Sequence, residues 1–148
     1  PPPPSPLPAP HSPLPTPRSP LPAPRSPLNH MDSPFRFQNL EIWQRSAAAS
    51  MELFALADQI ESMKHFRWAE QLRSAVLSIT NNIAEGSGSY SKPEFAQFLN
   101  YSRRSIFETA SMLIILEKEF HLSAPLPALL QELDEISRMI TAFRKTLL

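Results

Sequence analysis

Gln71-Leu-Arg-Ser-Ala-Val-Leu-Ser-Ile-Thr-Asn-Asn-Ile-Ala-Glu-Gly86 is the stretch whose reading decides the fold. Leu72, Val76, Ile79 and Ile83 recur at steps of four, three and four, the spacing that lines one face of an α-helix with apolar side chains. Beside that row runs a second one of small and polar residues: Gln71, Ala75, Ser78, Asn82 and Glu85. Gly86 stands where a helix often ends on a left-handed residue, and it is expected to turn the chain there. The two glycines of the protein, Gly86 and Gly88, both fall in this turn.

The same periodicity extends outward in both directions. Ser91-Lys-Pro-Glu94 is a capping box with proline in the first turn, where its missing amide is not needed. The helix it opens carries Phe95, Phe98, Ser102, Ile106, Thr109, Leu113, Leu116 and Phe120 along one seam. Ser123 to Pro127 breaks the chain, and a last helix follows with Leu126, Leu129, Leu133, Ile136, Ile140, Phe143 and Leu147 on one side. Arg144 and Lys145 near its end suit the negative pole of the helix dipole. Upstream, Leu40 to Ile60 contains no glycine or proline, and Asn39 is the expected N-cap. This first helix has two apolar stripes: Leu40, Trp43, Ala47, Met51 and Phe54, and Ile42, Ala49, Leu53, Leu56 and Ile60. Two apolar faces imply two neighbours, the bundle core and a partner subunit. No stretch has the period of two that a strand needs. Four amphipathic helices joined by short turns predict an all-α, antiparallel, up-down-up-down four-helix bundle over residues 35–148.

Residues 1–34 are of another kind, holding 15 of the 18 prolines. A seven-residue repeat of the form Ser-Pro-Leu-Pro-Ala-Pro-His begins at Ser5 and recurs at Ser12, Ser19 and, in part, Ser26. Proline at every second position fixes φ and removes amide donors, so this segment is expected to be a solvated, disordered tail. Docking as a proline-rich ligand is disfavoured because Arg25 does not complete a proline-x-x-proline-x-basic spacing. His30-Met31-Asp32 has the character of a start, and Met31 is the expected beginning of the functional protein.

The formal charge is zero over the whole chain and −1 over residues 35–148, where 12 basic residues face 13 acidic ones. A protein that works by neutralising phosphate is usually basic. There is no cysteine, hence no disulfide and no thiolate metal site. No apolar run reaches the length of a membrane span, and the expected location is the cytoplasm.

Asn39-Leu-Glu-Ile-Trp-Gln-Arg-Ser46, Gln71-Leu-Arg73 with Asn82-Ile-Ala-Glu-Gly86, Glu94-Phe-Ala-Gln-Phe-Leu99 and Ser105 to Glu108 resemble the four-helix-bundle family first noticed in intervening sequences of bacterial 23S ribosomal RNA genes. The resemblance implies a small non-enzymatic protein that assembles into a five-fold ring. A related branch, the accessory proteins of diversity-generating retroelements, implies instead a basic surface that binds nucleic acid and a reverse transcriptase. This chain lacks that branch's positive charge. A pentameric homo-oligomeric scaffold is therefore the first expectation, and a nucleic-acid-binding accessory factor the second.

Three groups of residues are candidates for function. Gln71, Ser78, Asn82 and Glu85 form a polar stripe, read as a packing or subunit contact in preference to a ligand pocket, since buried amides and carboxylates need partners. Arg67, Arg73, Arg103 and Arg104, with Trp68 and Tyr101 as stacking rings, could form a nucleic-acid patch. Ile42, Leu53, Leu56, Phe66 and Trp68 are the expected oligomer contacts. No catalytic set, cofactor motif or metal site is expected: none of His11, His30, His65 and His121 follows a glutamate by three residues, as a di-iron bundle would require.

Overall fold

A computed structural model describes residues 34–120, 122 and 125–148. The tail expectation, apart from Pro34, lies outside these residues, as do His11, His30, Met31, His121 and Ser123. A short 3-10 turn, Arg36–Asn39, precedes four α-helices: α1 (Glu41–Ser62), α2 (Phe66–Ser87), α3 (Lys92–Phe120) and α4 (Leu126–Leu147). Each helix packs on the next, and α4 closes the bundle against α1 in a less intimate contact. There is no strand among the described residues. The architecture is the all-α four-helix bundle that the periodicity predicts.

The predicted seams are the core. Leu72, Val76, Ile79 and Ile83 of α2 are buried, together with Ser102, Ile106, Thr109, Leu113 and Leu116 of α3 and Leu126, Leu129, Leu133, Ile136 and Ile140 of α4. On α1 the stripe through Ile42, Ala49, Leu53, Leu56 and Ile60 faces inward. Leu40, Trp43 and Phe54 of the other stripe pack half-buried against its edge, while Met51 stays 68% exposed.

Three local expectations change. Asn39 does not cap α1: it ends the 3-10 turn, and Leu40 is the extended N-cap residue, without a side-chain cap bond. The Leu40 carbonyl accepts from Trp43 N and Gln44 N at 2.9 and 3.0 Å, and Gln44 Nε2 donates back to the Gln38 carbonyl at 2.7 Å. An aromatic run seals this entry, with Phe37 stacked on Phe35 and tilted against Trp43 at 4.9 Å.

Gly86 is not left-handed, and neither glycine has positive φ. It lies within α2, where a Cβ would come 2.6 Å from Phe95 Cδ2 and 2.7 Å from Phe98 Cβ. Glycine is needed there for the approach of α3. The left-handed residue is Lys64, at φ 69°, in the turn between α1 and α2. His65 N donates to the Ile60 carbonyl and Lys64 N to the Glu61 carbonyl, which is the Schellman pattern of helix termination.

The α3 start follows the sequence in half. Ser91 Oγ accepts from Glu94 N at 3.3 Å, but the return bond from the Glu94 carboxylate is not made.

Candidate functional site

The contact between α2 and α3 is built from small residues and hydroxyls. With no side chain on Gly86, α3 comes close enough for Ser102 Oγ to donate to the Ile79 carbonyl at 2.8 Å. One turn further along α3, Ser105 Oγ donates to Ser78 Oγ at 2.8 Å, and Asn82 Nδ2 donates to both the Ser78 carbonyl (2.7 Å) and Ser78 Oγ (3.0 Å). Thr109 Oγ1 turns back to the Ser105 carbonyl at 2.9 Å. These residues floor an open groove of about 430 Å³, lined by Ser78, Asn82, Tyr101, Arg104, Ser105 and Glu108. The two stretches most characteristic of the chain, around Asn82 and around Ser105, thus meet at one place.

The predicted polar stripe divides. Ser78 and Asn82 enter the groove and bond to each other, Ser78 also to α3, whereas Gln71 and Glu85 are exposed. Ser105, the partner on α3, is not legible as a site residue, because Ser78 and Ser105 are 27 positions apart and nothing local pairs them; Tyr101, expected as a stacking ring, lines the same groove. The hydroxyls are engaged with one another and with backbone, and the one histidine among the described residues, His65, stacks on Phe120 where α3 ends. As chemistry, the arrangement fixes the register of two helices.

The four arginines of the expected patch do not gather. Arg73 Nη2 lies 2.5 Å from both Asp58 and Glu61 of α1, and those hydrogen bonds, Asp58 first, raise its pKa. Arg104 lines the α2/α3 groove, while Arg103 lines a separate groove between α3 and α4. Arg67 is exposed near the start of α2. Adjacent residues on a helix point about 100° apart, so helical phase already turns Arg103 away from Arg104, and only the packed neighbours say which groove each one enters.

The oligomer contacts expected on α1 also need correction. Ile42, Leu53 and Leu56 are at most 5% exposed inside the protomer and so are spent on its own core. Phe66 and Trp68 remain on the surface, at 57% and 39% exposure. Leu77, Phe107, Ile114 and Ile115 are also exposed, four residues that are not among the oligomer contacts expected from the sequence.

On the opposite side of the bundle, Arg45 clasps Glu132 with two bonds, Nε to Oε1 at 2.8 Å and Nη2 to Oε2 at 2.6 Å, and its Nη1 reaches Met139 Sδ at 3.1 Å. The bonds from Arg45 hold the Glu132 carboxyl below its ordinary value, against a smaller opposing effect of burial. The third described hollow, about 330 Å³, lies where the 3-10 turn meets the α2–α3 connection, and there Arg36 donates to the Ser87 carbonyl. Among the described residues no three His, Cys, Asp or Glu side chains converge as a metal cage, and no helix is long and apolar enough to cross a membrane.

Fold and site together define a small helical bundle with a hydroxyl clamp between its second and third helices. The chain belongs to the 23S rRNA-intervening sequence protein family, whose pattern matches residues 38–142. Among solved structures it is similar to a protein of unknown function from the S23 ribosomal protein family of Bacteroides thetaiotaomicron. The TM-score is 0.66 at 20% sequence identity, over 70% of this chain and 98% of that one. That likeness shows the shared fold. The comparison with curated proteins finds no match.

Proposed function

We propose that this protein is a non-enzymatic scaffold that self-associates into a ring-like homo-oligomer, with a pentamer as the favoured number and the cytoplasm as its location. The observation that carries the reading is the number of large apolar side chains left on the surface of so small a bundle: Met51, Phe66, Leu77, Phe107, Ile114 and Ile115 are each more than 40% exposed. Phe107 and Ile114, seven residues apart, share one face of α3, and exposed apolar side chains that share a face mark protein contacts. The engaged hydroxyls of the α2/α3 groove support a structural role for the residues that look most like a site. Native mass spectrometry of the full chain at micromolar concentration tests the reading. A closed oligomer of one size is expected, and a clean monomer would overturn it.

A second reading, the nucleic-acid accessory factor, is favoured by one feature. The Arg103 guanidinium lies 4.8 Å over the exposed Phe107 ring in a groove that also holds Arg138 and Lys145, a combination of cations and a ring suited to a single strand. Fluorescence anisotropy with a labelled oligonucleotide in low and high salt decides it. Salt-sensitive binding supports this reading, and no binding at micromolar protein removes it.

A further inference from the structure

Two faces that share α4 differ in the charges they leave without an ion pair. On the α1/α4 face, Glu41 and Glu135 both lie within electrostatic reach of Arg45, but Arg45 is committed to Glu132. Among the described residues neither Glu41 nor Glu135 forms an ion pair; each acts on Arg45 only at longer range. On the α3/α4 face, the groove of about 440 Å³ holds Arg103, Arg138 and Lys145 with a single acid, Asp134. Arg138 is paired with Asp134 at 2.7 Å, whereas Arg103 and Lys145 have no carboxylate partner among the described residues. Two unpaired acids on one face therefore correspond to two unpaired cations on the adjacent one.

The spacings along the bundle agree as well. Glu41 shares a hollow with Ala142 and Phe143, which sets it about seven residues along α4 from Glu135, or roughly 10 Å. Arg103 is placed by its neighbours: the Phe95 and Phe143 rings are 5.4 Å apart, and Arg144 Nε donates to the Ala96 carbonyl at 3.1 Å. Antiparallel pairing from those anchors sets Arg103 near the level of Ile136, about nine residues or roughly 13 Å from Lys145. Long arginine and lysine side chains easily absorb a difference of a few ångströms.

Resting on the self-association reading, we propose that neighbouring copies meet head-to-tail, Arg103 and Lys145 of one copy on Glu135 and Glu41 of the next. Phe107, 57% exposed and stacked under Arg103, supplies apolar area beside the charges. The two faces share α4 and are adjacent sides of the bundle, so their outward directions differ by much less than about 180° in a four-helix cross-section. Repeating such a heterologous contact bends the row of copies at each step and closes it into a small ring, whereas contacts on opposite faces would extend into a filament.

Charge reversal on the full chain tests this, read by native mass spectrometry and sedimentation, with far-UV circular dichroism as the control for folding. Arg103→Glu with Lys145→Glu, and separately Glu41→Lys with Glu135→Lys, are each expected to weaken assembly about a hundredfold or more through like-charge contact. Combining all four substitutions in one chain restores it. Because the protein has no native cysteine, Arg103→Cys with Glu135→Cys provides an independent measurement, expected to give a ladder of disulfide-linked copies under mild oxidation. If wild type is monomeric, the self-association reading itself falls. If wild type assembles while both reversed variants assemble equally well and the cysteine pair does not cross-link, only the head-to-tail contact falls. Loss of salt-sensitive oligonucleotide binding with assembly intact would assign the α3/α4 groove to nucleic acid and overturn the contact.

Discussion

The two connections that flank α2 solve the same problem in opposite ways. The turn from α1 contains no glycine yet places Lys64 in the left-handed region, with two backbone bonds closing the end of the helix. The end of α2 and the turn into α3 hold both glycines of the protein, Gly86 in the last helical turn and Gly88 just after it, yet neither has positive φ. Glycine at Gly86 is required by another helix, since a Cβ would collide with Phe95 and Phe98. The difference teaches that a glycine near a helix end reports either a backbone conformation or a close approach, and that only the neighbour across the interface tells which.

The largest effect that would break this comparison is expected at Gly86. Gly86→Ala gains helix propensity but forces α3 outward, and should lower the unfolding free energy by about 1–3 kcal/mol in urea titration. Gly88→Ala is the control, because its Cβ would meet only the Glu85 carbonyl at 3.3 Å, and it should cost less. A Gly86→Ala protein as stable as wild type would show that the α2/α3 approach is not tight. Next in size, Lys64→Gly removes the left-handed penalty of an L side chain and should stabilise by about 1 kcal/mol, read as a rise in Tm. A drop in stability would mean that the lysine side chain contributes more than its backbone costs.

The smallest effect concerns the looser α1/α4 side. The Glu132 carboxyl has a folded-state pKa lowered by Arg45, so its contribution to stability is present above its unfolded pKa and lost as pH falls through the lowered folded value. Glu132→Gln should therefore narrow the gap in stability between neutral pH and the acid range below the ordinary glutamate value. At a partly exposed pair the change is expected to stay below about 1 kcal/mol. Equal pH dependence in the two proteins would show that the clasp contributes nothing.

Much of the bundle was legible in the sequence. The seams through Ile79, Leu113 and Ile136 were read correctly because helical periodicity is a local property, written every three or four residues by what must leave water. The choice between the two stripes of α1 was not legible. Both were apolar at helical spacing, and only packing sent Leu53 and Leu56 inward and left Met51 outside. The candidate site was half legible: Ser78 and Asn82 were singled out, but Gln71 and Glu85 were grouped with them because helical phase cannot say where the neighbouring helix ends.

By itself the sequence determined four amphipathic helices, their order, the inward rows of α2, α3 and α4 and the serine that opens α3, because propensity, capping and apolar spacing act within a few residues. The tertiary structure alone decided the rest. It assigned Arg104 to the α2/α3 groove and Arg103 to the α3/α4 groove, joined Ser78 to Ser105, and gave Gly86 a packing role in place of a turning one. Each of those outcomes depends on distances between residues far apart in the chain, which no local pattern encodes.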